Sequence, residues 1–390
     1  MRGKMSEITL TNDEKARYAR HLILPQVGEL GQKKIKSSSV LVVGAGGLGS
    51  PVLLYLAAAG IGKIGIIDDD KVDLTNLQRQ IIHSTSSVGE LKVESAKRRI
   101  NQINPEIKIE IFDERLNIEN AEKIIHKFDI VVDGTDNFAT RYTISDCCEI
   151  LDKPWVFGSI HRFEGQVSVF NLNGSPNYRD LFPKAPPPEL APNCAEAGVL
   201  GVLPGIIGSF QANEVLKIIL RMDGTLDSEL LLIDTISMNI RKLRYSANKE
   251  RERVTELSEE AISCSLSIEE EESLDASYRE ENMKEISPLE YVKKVDNGWK
   301  PFFLDVRREA EGKIVTLPNT DLRINHTEVP SRLDELPKDR DIVIYCRSGA
   351  RSAIVANFLK NSGNYSNEVY NLSGGIHLWA STVDSSVPKY

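Results

Sequence analysis

The stretch that most constrains the fold is VLVVGAGGLGSPVLLYLAAAG, Val40 to Gly60. Val40 to Val43 read as a short buried strand, Gly44-Ala45-Gly46-Gly47-Leu48-Gly49 follows at once, and Leu53, Leu54, Leu56 and Ala57 then recur at helical spacing. Strand, glycine turn and helix in that order open a mostly parallel sheet with helices on its faces. Glycines let bare backbone N–H groups approach a phosphate, and the helix turns its partly positive end toward the same spot. A second short run, Lys63 to Ile67, ends at Asp68, whose carboxylate can accept hydrogen bonds from ribose hydroxyls. The unit predicts a nucleotide site. A turn serving only helix-on-strand packing is the bland alternative, and NAD would use the same fingerprint.

A chain of 390 residues can bury two or three cores, and two is the expected number. Its net charge of −9, with acidic residues concentrated late, argues against broad attraction to nucleic acid. MRGKMSEITL holds no apolar core of signal-peptide length, and the longest apolar stretches are interrupted, so neither export nor a membrane span is expected. Cys147, Cys148, Cys194, Cys264 and Cys346 show no paired framework, which suits the reducing cytoplasm.

Thr11 to Gly31 reads as one helical segment with Arg17 and Arg20 on one face, in itself no more than a solvated surface helix. After Asp68, the run DDDKVDLTNLQRQ crowds Asp70, Asp73, Asn76, Gln78 and Arg79 at the carboxyl end of the second strand, where ligands of parallel sheets sit. GELKVESAKRRINQIN is a helix with Lys92 in its first turn. A cation there opposes the helix dipole, so a bound anion explains it better than helix stability does. FDIVVDGTDNFATRY repeats the strand-to-turn logic: Asp136 could hold Mg²⁺ against phosphates, and Asn137 could cap the next helix. Cys147 and Cys148 read as buried structural thiols and His161 as structural. Cys194 lies in a proline-rich loop too long to be a mere connection and is a candidate nucleophile.

From 247 to 284 the chain turns acidic and polar and reads as a tether between a first domain, 1–246, and a second, 285–390; Cys264 within it is incidental. About 35 flexible residues would span roughly 30 to 35 Å and hold the second domain at an effective concentration of order mM. In the second domain, DIVIYC ends a strand at Cys346, CRSGAR wraps round it, and a helix starts from that point. Backbone N–H groups and Arg351 would stabilise a thiolate or persulfide there; a C-x4-R loop is one residue too short for a phosphate and suits sulfur.

With GAGGLGS, DDDKVDLTNLQRQ, GELKVESA, DGTDN, HRFEGQ and NCAEAGVLG in place, residues from about Leu10 to Tyr245 resemble the adenylyltransferases that activate ubiquitin-like sulfur carriers in molybdopterin and thiamine biosynthesis, relatives of ubiquitin-activating enzymes. DVRREAE, YCRSGARSA and NLSGGIHLWA make the last hundred residues resemble a rhodanese domain. The resemblance implies an α/β chain, with a Rossmann-like adenylation domain on a mostly parallel sheet and a small α/β rhodanese domain. It implies ATP held by Gly44, Gly46, Gly47, Asp68, Asp70, Thr75, Asn76, Leu77, Gln78, Arg79, Lys92, Asp136 and Asn137, with Mg²⁺ at Asp136. Arg20, Arg79, Lys92, Asp136, Cys194, Cys346 and Arg351 then carry the chemistry. Arg20 would reach into a second copy's site and imply a homodimer, Cys194 would attack the activated carrier, and Cys346 would carry the persulfide. The implied partners are a small ubiquitin-like sulfur carrier and a sulfur donor such as a cysteine desulfurase, with no nucleic acid or membrane.

Two departures stand out. Many relatives hold zinc between two C-x2-C pairs, but Asn177 and Asp180 of NYRD take the first pair's place and no second pair follows Tyr245, so no zinc is expected. LPNTDLRINH departs from the usual rhodanese pattern and leaves the acceptor surface open. Two rival readings share the residues. An NAD-dependent oxidoreductase leaves Arg79, Lys92 and the thiol loop without work, and a non-catalytic scaffold predicts that Arg79→Ala has no consequence.

Overall fold

The computed structural model describes residues 8–184, 198–258, 284–362 and 367–388. The chain divides into two compact units, Met1–Ile268 and Glu269–Tyr390. In chain order the first unit contains α1 Asn12–Arg17, α2 Ala19–Leu22, α3 Gly28–Ser37, β1 Ser39–Val43, α4 Gly49–Ala59, β2 Lys63–Ile67, α5 Lys92–Ile103, β3 Lys108–Phe112, α6 Ala121–Ile125, β4 Ile130–Asp133, α7 Phe138–Ile150, β5 Trp155–His161, β6 Glu164–Phe170, α8 Tyr178–Leu181, α9 Val202–Leu220, β7 Glu229–Asp234 and β8 Asn239–Arg244.

Its eight strands lie in the order β3-β2-β1-β4-β5-β6-β7-β8. The first five are parallel; β6, β7 and β8 extend the sheet antiparallel. Val40 to Val43 are all buried because both faces of β1 are covered, and the period of two divides them between two cores. Val40 and Val42 join the core with Leu53, Leu56 and Ile207, whereas Leu41 and Val43 join the one with Tyr142, Ile144 and Trp155. From β1 the chain winds outward through β2 to β3, then returns to lay β4 on the other side of β1. A crevice therefore opens between β1 and β4 at their carboxyl ends, where the winding reverses.

The N-terminal segment departs from the single helix expected. It is broken at Tyr18 and again over 23–27, and α3 runs on to Ser37. Tyr18 is buried, its hydroxyl accepts from Asn104 Nδ2 at 2.8 Å, and its ring fills the space a side chain at Gly60 would need. That packing outweighs helical continuity.

The second unit contains β9 Lys284–Ile286, α10 Pro288–Asp296, β10 Phe302–Asp305, α11 Glu309–Ile314, β11 Leu322–Arg323, β12 Ile342–Tyr345, α12 Ala350–Asn361, β13 Val369–Leu372 and α13 Gly375–Thr382. Its five strands are parallel throughout, in the order β11-β10-β12-β13-β9. Among the described residues no helix is long and apolar enough to cross a membrane.

Candidate active site

The crevice at the carboxyl ends of β1, β2, β4 and β5 is a cleft of about 450 Å³. Its floor is the glycine turn. Gly44 has φ +95°, and a Cβ there would stand 2.7 Å from the carbonyl oxygen of Gly134, so the turns after β1 and β4 press together with no side chain between them. The turn is held from both sides. Ala45 N–H donates to Asp68 Oδ2 at 2.7 Å, and His83 Nε2 lies 3.0 Å from the Ala45 carbonyl oxygen with Nδ1 2.9 Å from Ser95 Oγ. Burial pushes the His83 pKa down, so the neutral ring donates from Nε2 and accepts at Nδ1.

Charged groups converge on this floor. Lys92, buried, starts α5 with Nζ 2.6 Å from Asp70 Oδ2 and 3.9 Å from Asp68 Oδ1. The anion that meets Lys92 among the described residues is Asp70, whose side chain is 62% exposed. Burial pushes the Asp68 carboxyl up, against the pull of Lys92 and the Ala45 N–H. Arg79 borders the cleft beside Gly47. Asp136 and Asn137 are exposed on its rim, and Asn137 does cap α7, accepting from Thr140 N–H at 2.9 Å. Beneath them Asp133, fully buried, receives Arg141 Nε at 3.1 Å and both N–H and Oγ1 of Thr135, while Arg141 Nη2 donates to the Thr135 carbonyl.

Gly44, Gly46, Gly47, Asp68, Asp70, Arg79, Lys92, Asp136 and Asn137 thus share one cleft. Thr75, Asn76, Leu77 and Gln78 do not line it. They form a short turn beside it, in which Asn76 Oδ1 accepts from Asp73 N–H, Arg79 Nη1 donates to the Thr75 carbonyl, and Gln78 packs on Gly201 ahead of α9. Arg20 is exposed on α2, outside the cleft. Cys194 and Cys264 lie outside the described residues. Cys147 and Cys148 are buried in α7, with burial pushing the Cys147 thiol up to about 12, as befits inert thiols. His161, expected to be structural, is exposed and borders the cleft. Sequence reading also missed His83, Gln80, Thr135 and Arg141. Gln80, Thr135 and Arg141 lie inside motifs read from the sequence, DDDKVDLTNLQRQ and FDIVVDGTDNFATRY, and His83 does not.

In the second unit Cys346 is buried at the end of β12, and Gly349 N–H (3.1 Å) and Ser352 Oγ (3.4 Å) point at its Sγ. Gly349, at φ +100°, lets the loop close round the sulfur. Both terminal nitrogens of Arg351 bind Glu311, each at 2.8 Å. LPNTDLRINH supplies the edge strand β11, whose Arg323 donates to Asp305 Oδ2 at 2.7 Å alongside the fully buried Arg307.

Asn177 and Asp180, the positions weighed for zinc, form a capping box on α8. Arg251 Nε donates to Asp180 Oδ1 at 2.8 Å, and Nη1 and Nη2 reach Glu149 at 3.0 and 2.8 Å. A cation already occupies the carboxylates, and Cys147, Cys148 and Cys346, the free cysteines among the described residues, are not part of the group. This donor set does not suit zinc. It also shows that residues 248–254, expected to belong to the tether, are tied to the first unit.

A glycine-cradled, charged cleft at a sheet's switch point, carried in one chain with a thiol seated at a helix N-terminus, defines a nucleotide-using α/β enzyme with a sulfur-handling second domain. The ThiF family model matches residues 18–254 and the rhodanese-like domain model residues 287–382. The chain belongs to the ThiF family and is an adenylyltransferase and sulfurtransferase. It is 41% identical over 389 residues to the probable adenylyltransferase/sulfurtransferase MoeZ of Mycobacterium tuberculosis, covering 98% of this chain and 96% of that one. Against the adenylyltransferase and sulfurtransferase MOCS3 of Culex quinquefasciatus it is 40% identical, covering 98% and 90%. The solved structure of the microcin C7 biosynthetic enzyme MccB in complex with N-formylated MccA shares the fold at a TM-score of 0.54, with 23% identity over 61% of this chain and 74% of that one. Neither the NAD-dependent oxidoreductase nor the non-catalytic scaffold survives these matches.

Proposed function

We propose that the cleft adenylates the C-terminal glycine of a small ubiquitin-like sulfur carrier and that Cys346 supplies the sulfur that replaces one oxygen of its carboxylate. The observation that carries this reading is the convergence of Arg79, Lys92, Asp68 and Asp136 on one glycine turn, in a chain that also holds a buried, N–H-donated thiol. A carboxylate repels nucleophiles, so it must first lose its charge and gain a leaving group. Its oxygen attacks the α-phosphate of ATP and pyrophosphate departs, with Arg79 and Lys92 stabilising the charge that spreads over the phosphoryl oxygens. Lys92 exchanges its contact with Asp70 for the phosphate, which the exposure of Asp70 permits.

Asp136 fits Mg²⁺: it is exposed on the rim and makes no ion pair among the described residues. One such carboxylate beside substrate phosphates is the usual setting for that ion, which would neutralise phosphate charge there. Asp68, Asp69 and Asp70 also cluster, but Lys92 and Arg115 already engage them. The persulfide sulfur of Cys346 then attacks the acyl-adenylate carbonyl and AMP leaves. Cys194 attacks Cys346 Sγ, which releases the carrier as a thiocarboxylate and leaves a Cys194–Cys346 disulfide for an external dithiol reductant to reopen, or else Cys194 holds the carrier as a thioester. Arg20 completes the cleft of a second copy in a homodimer. A cysteine desulfurase loads Cys346, the pathway is molybdopterin or related cofactor synthesis, and the setting is the cytoplasm.

The test is mass spectrometry of candidate carriers incubated with the enzyme, ATP, Mg²⁺ and a sulfur source. A mass gain matching replacement of oxygen by sulfur is expected. Absence of carrier-dependent pyrophosphate exchange with every candidate would refute the reading.

A further inference from the structure

The turn after β4 carries Asp136 between two anchored neighbours. On one side Thr135 makes three hydrogen bonds: its N–H and Oγ1 donate to Asp133 Oδ1 at 2.8 and 2.6 Å, and its carbonyl accepts from Arg141 Nη2 at 3.3 Å. On the other, Asn137 caps α7. Between them Asp136 is exposed on the rim of the cleft. The turn has no room to shift inward, because a Cβ on Gly134 would stand 2.8 Å from the carbonyl oxygens of both Val43 and Gly44.

Arg141 joins this turn to its own strand. It is 5% exposed, with Nε on Asp133 Oδ2 at 3.1 Å, and its guanidinium lies over the rings of Phe138 and Phe157, 5.3 and 5.1 Å from their centroids. From the far side Gln211 of α9 donates to the Asp133 carbonyl at 2.6 Å. A buried ion pair adds little net stability beside well-packed apolar side chains of the same volume. What a planar guanidinium does supply, and an ammonium does not, is a rigid fork that fixes two acceptors relative to each other. Here those acceptors are the last residue of β4 and the carbonyl just ahead of Asp136.

We propose that Arg141 is a positioning residue for adenylation: through Thr135 it holds the turn after β4 so that the Asp136 carboxylate stands on the rim where it meets the nucleotide's Mg²⁺. This role rests on the adenylation reading and on Asp136 as the metal's carboxylate. Mg²⁺ demands near-ideal octahedral geometry, so a carboxylate on a turn free to shift holds it poorly. Arg141 acts on the metal only through the turn, as the outer partners of metal ligands do.

The test compares full-length wild type, Arg141→Lys, Asp136→Ala and the double variant, reading ATP affinity by calorimetry with Mg²⁺ and again with EDTA, and the apo melting temperature. Lysine keeps a charge opposite Asp133 but cannot also fork onto the Thr135 carbonyl. Arg141→Lys is expected to weaken ATP about ten-fold in Mg²⁺, the scale of losing an outer partner of a metal ligand, and to leave affinity in EDTA within about two-fold. Once Asp136 is replaced by alanine, Arg141→Lys should add no further loss, the mark of two residues acting through one contact. Equal weakening with Mg²⁺ and with EDTA overturns the proposal, and so does an equal loss whether or not Asp136 is replaced. A lysine variant that does not stay folded at the assay temperature marks the pair as structural and overturns it as well. If wild type binds ATP equally well with and without Mg²⁺, or Asp136→Ala binds it like wild type, the metal reading of Asp136 falls first and this proposal with it. If both behave as expected and Arg141→Lys matches wild type, this proposal alone falls.

Discussion

Replacing Arg251 by methionine tests whether its ion pairs with Glu149 and Asp180 act as a latch that holds 248–254 to the first unit. Arg251 is 18% exposed and bridges Glu149 and Asp180, whose side chains are 6% and 3% exposed. Methionine keeps the stem's packing but strands two carboxylates out of water. Removing one partner of such a buried group costs about 3–5 kcal/mol, because the remaining charge is left uncompensated. At roughly 2–4 °C per kcal/mol for a domain of 150–250 residues, the melting temperature of the first unit should fall by about 6–20 °C. The pH dependence has a definite sign. The hydrogen bonds from Arg251, Asn177 N–H and Asn248 N–H hold Asp180 below the usual carboxylate range despite burial. Its stabilising contribution is therefore present above the ordinary value near about 4 and is lost as pH falls through the depressed one. Wild type and Arg251→Met should accordingly differ most near neutrality and converge in acid. Calorimetry of the full-length protein across pH reads both effects. A fall of less than about 2 °C, or a gap that widens as pH drops, would refute the latch.

Metal analysis should find no stoichiometric zinc, and chelators should leave the melting temperature unchanged; one tightly bound equivalent per chain would overturn the assignment at Asn177 and Asp180. Cys346→Ala should preserve pyrophosphate exchange and abolish sulfur transfer, so loss of both would mean that the two units do not divide the labour. Asp136→Ala should depress exchange by about 10²-fold or more and steepen its Mg²⁺ requirement, measured by titrating the metal at fixed ATP. If Arg20 serves a second copy's cleft, mixing inactive Arg20→Ala and Lys92→Met enzymes should restore about a quarter of wild-type exchange through mixed dimers carrying one intact site. No recovery would place Arg20 outside the chemistry.

Much of this protein is legible along the chain because its signals are local. The order of strand, glycine turn and helix at Val40 to Gly60 dictates a parallel sheet, and CRSGAR dictates a thiol seated at a helix start. Both depend only on neighbours in sequence. What the chain does not announce is which of several local possibilities tertiary contacts select. Lys92 and Asp70 lie 22 residues apart and meet only because β2 and α5 bring them to the same crevice. Arg351 reads as a partner of the thiol, and only the fold shows that Glu311, 40 residues earlier, binds both its terminal nitrogens. Asn177 and Asp180 read as absent zinc ligands, and only packing reveals that Arg251 and Glu149 use that ground for an ion-pair network. Composition and periodicity set which segments become strands and helices. Long-range electrostatics and burial, which no local pattern encodes, decided which of their polar groups are committed to the fold.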